Sequence, residues 1–410
     1  MAGYLTRAIE PLLGRLLSEL SAVLLVGPRA TGKTTTAIRH ARTIVRLDRP
    51  AEAEAFRADP DVALEELDEP VLLDEWQAVP EILGAVKRAV DADPHPGRYL
   101  LTGSIRAEFD ADTWPGTGRL VRVPMYGMTV KEQLGRHEGA PLTDRLAADQ
   151  ALEIPPDPPD LRGYLELALR SGFPEPALAL EGDTRARWVE SYVDQLVTRD
   201  AAQVEGGRDP ERLRRYLESY ALASAGVVED KTLFEAAGIN RKTATAYEQL
   251  LTNLRVLEAL PAWTSNRLKR LVLSPKRYLV DPGLFTGILR LGVPSVLRDG
   301  DLLGRVLDTF VASQLRSELV IAGTRPRLYH FRTQQGRHEV DLLAELAGGG
   351  IVAIEVKADA APRRGSAGHL MWLRDQLSER FVAGVVLHTG PKIYRIDEKI
   401  TAAPIATLWA

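Results

Sequence analysis

The chain has 410 residues and not one cysteine. Disulfides, thiolate zinc sites, iron–sulfur clusters and a cysteine nucleophile are therefore excluded, and a reducing compartment fits. No apolar run approaches the ~20 residues of a membrane-spanning helix. The first ten residues, MAGYLTRAIE, lack the charged start and apolar core of a signal peptide, so a cytoplasmic protein is expected. Internal repeats and long low-complexity segments are missing too. The seven histidines show no metal-ligand spacing, and Ser104 has no obvious base, which leaves no case for zinc or serine-hydrolase chemistry. A large charge of one sign is also lacking: the net charge is −4, so there is no global attraction to nucleic acid.

What is present is unevenly spread. Residues 1–205 carry 23 Lys and Arg against 34 Asp and Glu, residues 206–290 carry 14 against 9, and residues 291–410 carry 15 against 13. The basic excess sits in the second half, where it permits a nucleic-acid face or an ordinary solvated surface. Hydrophobic residues make up 45%, enough for more than one core, and the length predicts two to three domains. Short apolar runs at 22–26, 43–47, 71–73, 99–101 and 120–123 alternate with helix-like segments at 33–42 and 80–90. This pattern predicts buried parallel strands in a doubly wound α/β fold. Helical stretches follow at 161–169 and 184–196, then short helices at 211–223, 231–236 and 242–251 in winged-helix spacing. The last part returns to α/β, with a helix at 302–319, strands at 327–332, 339–345, 351–356 and 382–388, and a helix near 369–377.

The strongest motif is Gly27-Pro28-Arg29-Ala30-Thr31-Gly32-Lys33-Thr34, with Thr35 after it, between a predicted strand and a predicted helix. Such a loop wraps phosphate oxygens with backbone N–H groups. Lys33 supplies a point charge to the β- and γ-phosphates, and Thr34 offers a hydroxyl to Mg²⁺. Forty-one residues after Lys33, a strand ends in Asp74-Glu75. Asp74 is expected to hold the Mg²⁺ and Glu75 to polarise the attacking water, a carboxylate that a small-molecule kinase needs less. Thr102 and Ser104, at the next strand end, are candidates for sensing the γ-phosphate, although Thr-Gly-Ser is also good turn chemistry. Arg119 and Arg199 are candidates for a γ-phosphate contact or for surface ion pairs.

Together GPRATGKT, LLDEWQAVP, LLTGS, GRLVRVP, SGFPEP, SYVDQLVTRD, SPKRYLVDPGLF, YHFRTQQGRHEVDLL and IVAIEVK resemble a prokaryotic family of AAA+-like ATPases carrying domain of unknown function 4143. The resemblance implies a P-loop ATPase core at 1–130, a helical subdomain at 131–205, a winged-helix-like domain at 206–290 and a PD-(D/E)XK nuclease-like α/β domain at 291–410. It makes residues 231–247 look like a helix-turn-helix. Gly238 would form the turn and Asn240 the cap, and Arg241, Lys242, Thr243 and Thr245 would stand where a recognition helix touches DNA. Winged helices also serve as protein docking sites or spacers.

At the C-terminal end, Asp341 begins one strand and Glu355 and Lys357 end the next, across a turn containing Gly348-Gly349-Gly350. Side-chain alternation puts Glu355 and Lys357 on one face, where Asp341 can join them. Two carboxylates there could bind a second Mg²⁺ or Mn²⁺ with Lys357 as a catalytic group, or the three could be a salt-bridged relic. Asp308 stands where nuclease-like domains often place a helix Glu, one methylene longer. Two readings stay open: a Mg²⁺-dependent ATPase that couples nucleotide state to nucleic-acid binding, with DNA cleavage as its extension, or an ATP-gated DNA- or protein-binding switch with an inactive nuclease-like domain. DNA and a homo-oligomeric assembly are the expected partners.

Overall fold

A computed structural model of the chain describes residues 3–103, 118–200, 209–266, 273–333 and 336–410. The chain divides into two compact units, one of Tyr4–Gly127 with Leu251–Val256, the other of Met128–Leu250 with Leu257–Ala410.

The first unit is built on β1 (Ala22–Val26), β2 (Thr43–Arg46), β3 (Val71–Asp74), β4 (Tyr99–Gly103) and β5 (Val121–Pro124). Their order is β2-β3-β4-β1-β5 and every neighbour is parallel, the fold of a P-loop NTPase. The three inner strands are buried throughout, because helices cover both faces of a parallel sheet and the sequence supplies apolar residues in unbroken runs. The outer two were expected to be buried as well. At the sheet edges they are only partly covered, with Ile44 37% and Val121 40% exposed. Leu24, Leu73 and Leu101 pack with Trp76, Ile82 and Val86, the last two from the helix Ile82–Ala92. Each fully buried side chain of this kind contributes about 1.5–3 kcal/mol. Since β4 lies between β1 and β3, the ends of all three strands open on one rim of the sheet.

The second unit begins with helices that include Leu161–Arg170, Pro174–Leu178 and Gly182–Gln195. Buried Asp281 accepts hydrogen bonds from the Gly172 N–H (2.6 Å) and the Gly283 N–H (2.7 Å), so the SGFPEP and DPGLF segments meet at one carboxylate. Helices Pro210–Leu222, Asp230–Ala236 and Arg241–Asn253 lead into an antiparallel pair, β6 (Leu257–Leu260) and β7 (Lys276–Leu279). After the helix Gly300–Ile321 come β8 (Arg327–Arg332), β9 (Glu339–Glu345), β10 (Ile351–Val356), the helix Gly368–Leu377 and β11 (Phe381–His388), β12 (Tyr394–Asp397) and β13 (Ile400–Pro404). They form one mixed sheet in the order β12-β13-β11-β10-β9-β8. The chain beyond β6 joins this sheet's edge, where Trp263 N–H donates to the His330 carbonyl (2.7 Å) and His330 N–H to that of Pro261 (3.1 Å).

Candidate active site

The phosphate loop hangs between β1 and the helix Lys33–Ile38. Two of its positions demand glycine. Gly32 has φ 87°, in the left-handed region, and a Cβ on Gly27 would lie 2.0 Å from the Met125 carbonyl oxygen. The Thr31 hydroxyl donates to the Pro28 carbonyl at 2.8 Å and ties the loop across itself. Lys33 is 5% exposed, and its ammonium donates to the same carbonyl at 2.7 Å, curled into the space that phosphate oxygens fill in such loops. Burial pushes this ammonium down to about 8; Glu75 and Asp74 oppose the shift, and the positive charges of Arg255 and Arg29 add to it.

Asp74, the last residue of β3, is the hub of the site. Its Oδ1 accepts the Thr34 hydroxyl at 2.7 Å and also the Thr102 hydroxyl from the end of β4. A hydroxyl and a carboxylate side by side next to a lysine suit a hard cation bound through oxygen, so Thr34 and Asp74 fit a Mg²⁺ that arrives with nucleotide. Glu75 follows at φ 54°, a conformation costing a non-glycine residue about 1–3 kcal/mol. Its carboxylate accepts from the Gln77 amide, while its backbone N–H donates to the Thr102 hydroxyl at 3.4 Å. The strained turn sends the Glu75 side chain off the line of the strand while Asp74 stays on it.

In the second unit, Asp341, Glu355 and Lys357 converge as the strand register requires: β9 and β10 pair antiparallel, and Lys357 donates to Glu355 at 3.0 Å. A further cation, Lys276 of β7, enters the same cluster. Its ammonium reaches Asp308 Oδ2 at 2.5 Å, Asp341 Oδ1 at 3.1 Å and the Asp341 carbonyl at 3.3 Å. Tyr278 donates its hydroxyl to Asp308 Oδ1 at 2.9 Å. Nothing in the SPKRYLVDPGLF segment by itself says that its lysine meets carboxylates 32 and 65 residues further along.

Residues 20–134 match a family described as an AAA domain, and residues 303–408 match the domain of unknown function DUF4143. The chain thus carries an AAA domain and a DUF4143 domain in one polypeptide. Residues 161–295, between the two, match another domain of unknown function, DUF8612. Uncharacterized proteins of Mycobacterium tuberculosis and Mycobacterium bovis are each 28% identical over 398 residues, spanning 96% of this chain and 82% of theirs. A Walker-type ATPase of Pyrococcus abyssi aligns in structure with a TM-score of 0.43 and 14% identity, over 69% of this chain and 94% of that one.

Several expected residues lie elsewhere in this AAA–DUF4143 protein. Arg119 donates to Asp91 on the helix Ile82–Ala92 at 2.6 Å, an exposed ion pair rather than a phosphate-loop contact. Arg199 sits in a π-helical turn, Leu196–Asp200, of the second unit. Ser104 lies outside the described residues. Thr35 is exposed on the first turn of its helix. Arg241, Lys242 and Thr245 are exposed at the start of the helix Arg241–Asn253, and Asn240 accepts from the Thr243 N–H at 2.9 Å. The Thr245 hydroxyl turns back to the Arg241 carbonyl, and Gly238 has φ 65°.

Two arginines near the phosphate loop had no motif to announce them. Arg7, 4% exposed, donates to the Thr31 carbonyl and to the Tyr126 carbonyl, each at 2.8 Å, and so clamps the loop from the N-terminal segment. Arg255 follows the helix Arg241–Asn253 at φ 57°, in a segment that belongs with the AAA unit, which brings its charge to Lys33. A basic concavity of about 810 Å³ in the second unit was likewise unforeseen. Arg325, Arg327 and Arg380 line it; Arg380 pairs with Glu345, whereas the side chains of Arg325 and Arg327 make no hydrogen bond or ion pair among the described residues.

Proposed function

We propose that the chain is a cytoplasmic, Mg²⁺-dependent ATP hydrolase whose nucleotide state gates nucleic-acid binding by its second half. The observation that carries the ATPase part is the shared acceptor: Asp74 receives hydroxyls from both Thr34 and Thr102 beside a buried Lys33. In this reading Lys33 neutralises the β- and γ-phosphates, and Thr34 and Asp74 hold the Mg²⁺, which offsets phosphate charge when bound. Glu75 orients and polarises the attacking water. Thr102 reports the γ-phosphate to Asp74 through their hydrogen bond. The basic residues supporting a nucleic-acid role are Arg241 and Lys242 on the second helix of the winged-helix-like segment, and the open arginines Arg325 and Arg327. Assembly into a homo-oligomer would let a neighbouring copy supply an arginine to the phosphates, an arrangement usual in AAA-type ATPases.

Between cutting and merely binding, the Lys276 ammonium lodged between Asp308 and Asp341 favours a switch that binds without cutting. Two measurements test the proposal. Lys33→Ala should abolish ATP turnover. Glu75→Gln, which retains ATP, should bind fluorescent duplex DNA at least tenfold differently with ATP than with ADP in an anisotropy titration. Unchanged turnover in the first variant refutes the ATPase assignment, and identical DNA affinity in both nucleotide states refutes the gating.

A further inference from the structure

We infer that Lys276 is the built-in cation of the C-terminal carboxylate cluster, seated where the nuclease resemblance would put a divalent metal. A lysine ammonium carries three protons. Here they have three acceptors: Asp308 Oδ2 at 2.5 Å, Asp341 Oδ1 at 3.1 Å and the Asp341 carbonyl at 3.3 Å. The remaining carboxylate oxygens of these two residues are engaged as well. Asp308 Oδ1 takes the Tyr278 hydroxyl, and Asp341 Oδ2 takes the Val356 N–H at 3.0 Å. Lys276 is 1% exposed and Asp308 6%, so little water competes for the ammonium's contacts with these carboxylates. Glu355, 2% exposed, gives one oxygen to Lys357, and its other, Oε1, is buried with no hydrogen-bond partner. Mg²⁺ keeps several of its waters and takes one or two protein carboxylates, so an ion reaching Asp308 and Asp341 together would have to displace the Lys276 ammonium that bridges them.

The origin of the cation sets it apart from the carboxylates. Asp308, Asp341 and Glu355 lie in the DUF4143 match, whereas Lys276 comes from the segment that matches DUF8612. One region plugs the would-be metal site of the next. This inference rests on the reading of the second half as binding without cutting, but its test involves neither DNA nor ATP, so either can fail alone.

The test is a Mn²⁺ titration followed by electron paramagnetic resonance on the nucleotide-free full chain in an Asp74→Asn background, which removes the AAA-side ligand. The chain with Lys276 intact should bind no Mn²⁺ tighter than about 10⁻⁴ M at this cluster. Lys276→Met, which keeps the stem and removes the charge, should gain one bound Mn²⁺ per chain, lost again on adding Asp341→Asn. A Mn²⁺ bound with Lys276 present and lost in Asp341→Asn overturns the inference, as does a folded Lys276→Met chain that binds none. Should Lys276→Met not fold, the titration with Lys276 present and its Asp341→Asn partner still decides between the two.

Discussion

Arg7→Ala removes two hydrogen bonds from the N-terminal segment, one to the Thr31 carbonyl of the phosphate loop and one to the Tyr126 carbonyl beyond β5, while every loop residue stays in place. Both bonds, to the Thr31 and Tyr126 carbonyls, are 2.8 Å long and made by a guanidinium that is 4% exposed. Hydrogen bonds to charged groups contribute about 1.5–3 kcal/mol each, so the pair is worth about 3 kcal/mol at the lower bound. Water reaching the freed carbonyls returns part of this, leaving about 1.5–3 kcal/mol by which the binding-competent loop becomes less favourable. At 1.4 kcal/mol per decade the apparent Kd for ATP should rise between about tenfold and a hundredfold. Fluorescent-ATP titration reads this directly, with circular dichroism to show that the fold persists. Arg7→Lys should recover only part of the loss, because an ammonium lacks the planar fork that spans two carbonyls. A folded Arg7→Ala chain whose ATP affinity changes less than about threefold refutes the clamp.

Two further outcomes are expected. Because Lys33 titrates at about 8 in the free protein and ATP takes its charged form, Kd should rise about tenfold per pH unit above 8, with one proton taken up on binding; a Kd flat from pH 7 to 9.5 contradicts this. For the fold the sign is reversed: between 8 and 10.5 the unfolded chain keeps a proton on Lys33 that the native chain has lost, so this residue makes stability rise with pH. Arg241→Ala with Lys242→Ala should weaken duplex DNA binding and lower the slope of log K against log salt by about 2, leaving ATP turnover intact; an unchanged slope removes these residues from the interface and shifts attention to Arg325 and Arg327.

Local pattern was enough to read some features and not others. The phosphate loop follows from glycine spacing, and β8, β9 and β10 from short apolar runs and the glycine turn, all within a few residues of one another. The Asp74-Glu75 pair was legible because a strand end is a short-range signal. Arg7, Arg255 and Lys276 were not, since each gains its meaning from residues that only folding brings near. The final strands, β12 and β13, are four and five residues long and weakly apolar, and it is the pairing of β13 with β11 and of β12 with β13 that makes them strands. Arg119 was legible only as one of two things, a phosphate contact or a surface ion pair, because the aspartate it meets, Asp91, stands on a helix that folding brings near.

Trp263 and Lys276 bear on how this gene could be divided. Trp263, beyond β6, is one of the buried residues of the core formed with Tyr329, Phe331 and Phe381, and Lys276 is neutralised by residues of the helix Gly300–Ile321 and of β9. A fragment stopping after the DUF8612 match would carry a bare tryptophan, an unpaired strand edge and a lysine stripped of its counter-ions. A fragment starting at residue 303 would carry the complementary wound. Either fragment expressed alone is therefore expected to be far less soluble than the two regions expressed as one piece.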